Sequence, residues 1–115
     1  METNKVILQR LKKSFPTEIE KAEMYFGIIS SVNALGLSTR EIQLVAFTAV
    51  KGNISNGNAR EEFCRIYDTS IPTINNIISK LKRLSIFVKE NKKIKVNQKL
   101  ALDFKKEIVL QFNME

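Results

Sequence analysis

The chain has 115 residues, 43% of them hydrophobic, and carries a formal net charge of +7 with no histidine and one cysteine. This length fits a single domain with a sizeable core, and the apolar content excludes a chain that is disordered by composition. Without histidine the chain lacks the commonest general base and metal ligand, and one cysteine allows neither an internal disulfide nor the usual zinc sites. The four glycines form no phosphate-binding loop. We therefore expect a protein that is not an enzyme and binds no metal, cofactor or small-molecule ligand.

No apolar run approaches the roughly 20 residues that a membrane-spanning helix needs. Residues 1–13 contain only short apolar clusters and no small-residue cleavage site, so they do not resemble a signal peptide. These features predict a cytoplasmic protein that does not contact membranes.

The N-terminal half of the sequence predicts two helices. An apolar segment at 6–11, compatible with a strand or a helix, is followed by a capping box at 17–20. That box predicts a helix from about 18 to 35 with Gly36 as its C-cap. A second capping box, at 38–41, predicts a helix to Lys51. This second helix is apolar over much of its girth and should lie at the centre of the core.

Two further helices are predicted after the loop at 53–57. Asn58 is the expected N-cap of a short helix that ends near Tyr67, with Phe63 and Ile66 facing inward. Ser70 should cap a helix over 71–84, which tolerates a proline in its first turn. The expected core stripe of this last helix comprises Ile74, Ile77, Ile78, Leu81 and Leu84.

The C-terminal part of the sequence predicts β structure. Short β-prone runs at 86–88 and 94–96 flank a plausible turn at 90–93 and predict a hairpin. Asn97 is a candidate cap for a short helix through Leu100 and Phe104, and residues 108–112 alternate like a strand. The predicted fold is therefore mainly α with a small β-hairpin, in one domain: an N-terminal helix (18–36), a core (37–100) and an extension with a C-terminal strand (101–115).

The positive charge is concentrated in one segment. Residues 70–99, called the basic segment below, hold eight basic side chains against one acid, and the other residues hold eleven of each sign. A local excess of this kind on a helix and a hairpin predicts a polyanion-binding surface. The alternative is a solvated face without a ligand.

Residues 37–100 resemble a winged helix-turn-helix DNA-binding domain, because three helices followed by a basic hairpin is the element order of that superfamily. Phe63, Ile66, Ile74 and Ile78 take the apolar positions of its helix-turn-helix. That turn often carries glycine where this chain has Asp68, which tolerates the left-handed conformation better than most residues but adds a negative charge. On residues 37–41 and 75–81 the chain is also similar to small winged-helix proteins of tailed bacteriophages, which would place it in the host cytoplasm.

The resemblance implies that the helix at 71–84 enters the major groove of double-stranded DNA while the hairpin at 86–96 follows the backbone. Asn75 and Asn76 suit adenine edges, since an amide donates and accepts at once. The expected DNA-binding residues are Ser70, Thr73, Asn75, Asn76, Lys80, Lys82, Arg83, Lys92, Lys93 and Lys95.

The sequence thus favours a non-catalytic DNA-binding protein, either a transcriptional regulator or an accessory to replication or packaging. The alternative is a protein–protein adaptor or virion component that binds no nucleic acid, because a fold does not fix a function. A homodimer is expected through the helix at 18–35, where Met24 and Ile28 widen the apolar surface beside Tyr25 and Phe26. The terminal segments are a second candidate interface, and packing of this helix on its own core is the simpler explanation.

Overall fold

The computed structural model describes residue 7 and residues 17–114, which form four helices followed by a hairpin. The helices are α1 (Glu18–Val32), α2 (Thr39–Lys51), α3 (Gly57–Tyr67) and α4 (Ile71–Arg83), and the strands are β1 (Phe87–Glu90) and β2 (Lys93–Val96). The prediction of a mainly helical fold with a small hairpin is confirmed. The apolar segment predicted at 6–11 lies outside the described residues except for Ile7, which is exposed.

The predicted N-caps of α1, α2 and α4 are confirmed. The Thr17 hydroxyl accepts a hydrogen bond from the Glu20 N–H at 3.1 Å. In the box that starts α2, the Ser38 hydroxyl accepts from the Glu41 N–H at 3.2 Å and the Glu41 carboxylate accepts from the Ser38 N–H at 2.7 Å. The Ser70 side chain caps α4. These bonds satisfy backbone donors that the helices cannot satisfy themselves, so each helix begins where its local sequence says.

Two helix boundaries differ from the sequence prediction. Helix α1 ends at Val32 with Asn33 as its C-cap, so Gly36 lies in the connection to α2 and is not the cap. Helix α3 is capped by Asn56, whose Oδ1 accepts from the Ala59 N–H at 2.7 Å. The prediction of Asn58 as the N-cap is wrong. The loop before it contains three other asparagine or serine residues that could cap the helix, and the local sequence does not distinguish among them.

Helix α2 is at the centre of the core, as its composition predicts. Its residues 44–48 are fully buried, and Phe47 meets Phe63 of α3 edge-on with ring centroids 5.3 Å apart. Tyr25 and Phe26 of α1 pack against Phe104 from the C-terminal segment, at 5.6 and 5.8 Å. Helices α1, α2 and α3 and the C-terminal segment therefore contribute to one core, in which α1 packs along α2.

The packing of α3 and α4 corrects two expected core positions. Ile74, Ile78 and Leu81 are buried as predicted, but Ile66 is 56% exposed and Leu84 is 44% exposed. Ile66 is exposed because the short α3 buries only a narrow face around Phe63. Leu84 is exposed because it is the C-cap of α4, where the chain turns away into the hairpin.

The hairpin is tight and is attached to the loop between α2 and α3. Its strands pair antiparallel, and Asn91 and Lys92 at its tip both have positive φ, which is the pattern of a two-residue type I′ turn. The Ile54 N–H donates to the Ile94 carbonyl at 2.9 Å, and the Ile94 N–H donates to the Ser55 hydroxyl at 3.1 Å. One backbone and one side-chain hydrogen bond to the loop therefore fix the position of the hairpin.

The C-terminal extension forms neither element predicted for it within the described residues. Asn97 caps a turn, not a helix, with its Oδ1 accepting from the Lys99 N–H at 3.1 Å. Residues 108–112 belong to no strand, so the predicted C-terminal strand is wrong. Ile108 and Leu110 do pack partly against the core, but alternation alone makes no strand when no neighbouring strand supplies backbone partners. None of the described helices has the length and apolar character needed to cross a bilayer.

Candidate nucleic-acid interface

Helix α4 separates its residues into an inner and an outer face. The inner face packs through Ile74, Ile78 and Leu81, which repeat at helical spacing. The outer face exposes polar and basic side chains, namely Thr73, Asn75, Asn76, Ser79, Lys82 and Arg83. The face that the sequence predicts for DNA binding is thus on the surface, with Asn76 and Ser79 near its centre.

The start of α4 uses two of the predicted site residues for capping. The Ser70 hydroxyl accepts from the Thr73 N–H at 3.4 Å, and the Ser70 and Thr73 hydroxyl oxygens lie 2.9 Å apart. Both side chains are exposed, so each hydroxyl retains capacity for a further partner. Their first role, however, is to fix the helix start.

Lys80, predicted from the sequence as a DNA contact, forms an ion pair with helix α2. Its Nζ lies 2.8 Å from one carboxylate oxygen of the buried Glu41 and donates to the other at 3.1 Å. Burial alone would raise the pKa of the Glu41 carboxyl. The hydrogen bonds from Lys80 and Ser38, together with the Lys80 charge, outweigh burial and hold that pKa below its ordinary value. Lys80 therefore joins α4 to α2, and its expected role as a DNA contact stays a prediction.

Asn75 is held by a residue that sequence reasoning missed. The Asn75 Oδ1 accepts from Arg60 Nη1 at 2.8 Å, and Arg60 Nε donates to the Ile54 carbonyl at 2.9 Å. Arg60 thereby ties α3, the loop and α4 together. Its position four residues after the true cap of α3 gives no sequence signal of this contact, because the partner lies fifteen residues further along the chain.

The hairpin contributes the remaining predicted lysines. Lys92 is at the tip, Lys93 pairs across the strands with Glu90, and the half-buried Lys95 pairs with Val88. Since side chains alternate across a strand, Lys93 and Lys95 lie on the same face of the hairpin, opposite the core-facing Phe87 and Val96. The structure thus places all three lysines on the outside of the hairpin.

Most of the basic segment is without an ion pair among the described residues. Over residues 17–114 the ion pairs are Lys51 with Glu62, at 2.9 Å, and Lys80 with Glu41. The cations on α4 and the hairpin that form no ion pair with a described residue are Lys82, Arg83, Lys89, Lys92, Lys93 and Lys95. Glu90 is the one acid among them in the sequence. Lys89 is the cross-strand partner of the buried Ile94 and lies on the other face of the hairpin. The remaining five side chains, Lys82, Arg83, Lys92, Lys93 and Lys95, which we call the basic surface, suit an extended anion.

An open groove lies between α1 and α2 and has two carboxylates in its lining. Its lining is Glu20, Glu23, Met24, Thr39, Ile42 and Gln43. Next to it the Tyr67 hydroxyl donates to Glu23 at 3.1 Å. Burial and then the Glu23 charge raise the pKa of Tyr67 to about 12. No group of three or more metal-ligating side chains occurs in the part of the chain that the structure describes.

Comparison with known proteins finds no matching family model, no matching curated protein and no matching solved structure.

Proposed function

We propose that the protein binds double-stranded DNA without catalysing a reaction, as a winged helix-turn-helix protein that regulates transcription or assists replication or packaging. The observation that carries the proposal is the basic surface, where α4 and the hairpin expose basic side chains that form no ion pair with a described acid. Phosphate neutralisation by such side chains supplies most of the affinity for DNA that is independent of sequence.

The arrangement of the elements supports the same proposal. Three helices precede the hairpin, and the loop that contains Ile54 pairs with β2, as a third short strand of a wing would. Asp68 adopts the left-handed conformation, with φ 51° and ψ 62°, in the turn between α3 and α4. The position that often carries glycine in the winged-helix family thus has the backbone geometry that its turn requires.

In this proposal α4 lies in the major groove with its N-terminal half toward the bases. Asn76 is at the centre of the outer face, and its amide can donate and accept on an adenine edge. Arg83 and Lys82 lie further along α4 and approach the backbone, while Lys92, Lys93 and Lys95 reach it from the hairpin. Phosphate contacts of this kind orient the protein, and base contacts specify the sequence.

The test is the salt dependence of binding to a fluorescent duplex of mixed sequence. Each neutralised phosphate contributes roughly −0.9 to the slope of log K against log salt, so replacing Lys92 and Lys93 with alanine should flatten the slope by up to about 2. The matched control replaces Lys105 and Lys106 with alanine. These two adjacent exposed lysines lie outside the basic segment, and their loss should leave the slope nearly unchanged.

Two results would contradict the proposal. The first is no detectable binding by the unaltered protein at about 50 mM salt, where contacts to several phosphates give their largest contribution. The second is an equal effect of the two double variants, which would mean that the protein binds DNA only through its net charge. In the first case the adaptor function takes its place, and co-elution with a specific protein partner tests it.

The homodimer remains a proposal with a narrower candidate surface. Tyr25 and Phe26 are buried in the core of their own chain, whereas Met24 and Ile28 are half-buried. A dimer through α1 would therefore use the latter two side chains and not the aromatic ones. Light scattering over a range of concentrations measures the mass directly, and a monomer at every concentration excludes this dimer.

A further inference from the structure

We infer that Arg60 and Asn75 form a phosphate clamp, so that Asn75 fixes the protein on the DNA backbone and does not read a base. The inference rests on the proposed DNA-binding function and assigns Arg60, a residue of α3, to the same interface. It also changes the role that the sequence suggests for Asn75.

The contact leaves the pair with hydrogen-bond donors. A guanidinium has five N–H donors, and Arg60 uses one on the Ile54 carbonyl and one on Asn75 Oδ1. The oxygen of the Asn75 amide already accepts this charge-assisted bond, so one lone pair is left as an acceptor, and that oxygen lies beside the guanidinium. An adenine edge requires an acceptor and a donor from one amide, whereas the free groups of the pair are mainly N–H donors next to a positive charge. That combination fits an oxyanion.

The position of the pair favours a phosphate over a base edge. Asn75 lies at the border of the outer face of α4 that adjoins α3, whereas Asn76 and Ser79 lie near the centre of that face. When a helix enters the major groove, its centre faces the bases and its borders face the two sugar–phosphate walls. Arg60 belongs to the neighbouring helix and contacts α4 at this border, not at the centre of the face.

The clamp is also preorganised. The Ile54 residue that holds Arg60 is itself fully buried and bonded to β2, so the guanidinium is fixed relative to both α4 and the hairpin. A side chain that is already ordered loses less conformational freedom when it binds a ligand. The same loop residue thus links the clamp to β2, the strand that carries Lys93 and Lys95.

The experiment is the variant Asn75→Asp, compared with the unaltered protein on two duplexes of different sequence. Aspartate keeps an oxygen for Arg60 and so preserves the internal contact, but it replaces the NH₂ donors with an anionic oxygen. We expect affinity to fall about tenfold or more on both duplexes alike and the salt slope to flatten by about 1. The midpoint of thermal unfolding should be unchanged or higher, because an ion pair replaces a hydrogen bond in which only the donor is charged.

The control is Asn113→Asp, which makes the same charge change in the exposed C-terminal segment. The clamp is overturned if Asn75→Asp binds as this control does, or if it loses discrimination between the duplexes at an unchanged salt slope. In both cases the proposed function stands, because the unaltered protein binds DNA. If the unaltered protein binds neither duplex at about 50 mM salt, the proposed function itself fails. Arg60→Lys, which keeps the charge and loses the planar fork, should reproduce part of the loss.

Discussion

Helices α1 and α2 hold four carboxylates and three cations, whereas α4 and the hairpin hold one carboxylate and seven cations. The difference is sharpest within α4 itself. Lys80 is paired with the buried Glu41, and Lys82, two residues later, has no ion-pair partner among the described residues. A charge count by segment treats these two lysines as equal. Contacts between helices decide which of them belongs to the framework of the fold and which belongs to the basic surface.

The largest effect should come from the packing that joins the two halves. Replacing Ile78 of α4 with alanine removes a buried side chain from the shared core and should lower the free energy of unfolding by about 2–5 kcal/mol. Urea unfolding followed by circular dichroism measures this change.

The matched control for that variant is Ile66→Ala on α3. Ile66 is the same residue type but is mostly exposed, so its loss should cost about 0.5 kcal/mol or less. Equal losses for the two variants would mean that α4 does not share the core as described.

A smaller effect should separate the two lysines of α4. Lys80→Met leaves the Glu41 carboxylate buried without its cation, and because Lys80 is itself partly exposed the cost should be about 1–2 kcal/mol, below that of a fully buried pair. Lys82→Met should change stability by about 0.5 kcal/mol or less and flatten the salt slope of DNA binding by roughly 0.9.

Unfolding and salt-dependent binding, measured on both variants, test this separation. In the reverse pattern, Lys80→Met flattens the salt slope and leaves stability intact. That result would mean that Lys80 contacts DNA and would contradict the distinction between the two lysines.

The smallest effect is a pH dependence of the same ion pair. The pKa of Glu41 is lowered in the folded state from its ordinary value of 4.5, so in acid the unfolded chain binds more protons than the folded one. The stabilisation is complete above that ordinary value and is lost as the pH falls through the lowered one.

The variant Glu41→Gln lacks this titration. Its deficit in stability relative to the unaltered protein should therefore be greatest near neutral pH and should shrink in acid, when unfolding is measured at neutral pH and at several values between about 3 and 5. A deficit that stays constant over this range would show that the carboxylate contributes nothing through its charge.

The sequence predicts the features that depend on neighbouring residues. Thr17, Ser38 and Ser70 cap their helices because the donors they satisfy are three residues away. The hairpin forms at 87–96 because its turn and its β-prone runs are adjacent. Asp68 adopts the left-handed conformation, which aspartate tolerates better than most residue types.

What the sequence does not predict depends on contacts between distant residues. The ion pair of Lys80 and the bond from Arg60 to Asn75 join separate helices. The segment at 108–112 has the alternation of a strand without a strand beside it in the described structure. Charge and periodicity therefore locate the candidate surface, and the packing of α3 and α2 against α4 determines which residues on it are free.

The tip of the hairpin carries a basic side chain at a strained backbone position. Lys92 has a φ of 64°, a conformation in which a residue with a side chain is strained by roughly 1 kcal/mol and glycine is not. The preceding Asn91 suits this turn, and Asn-Gly would be the most stable choice for it. A sequence selected for stability alone would place glycine at position 92. In the proposed DNA-binding function, Lys92 offsets this strain with a charge at the furthest point of the hairpin.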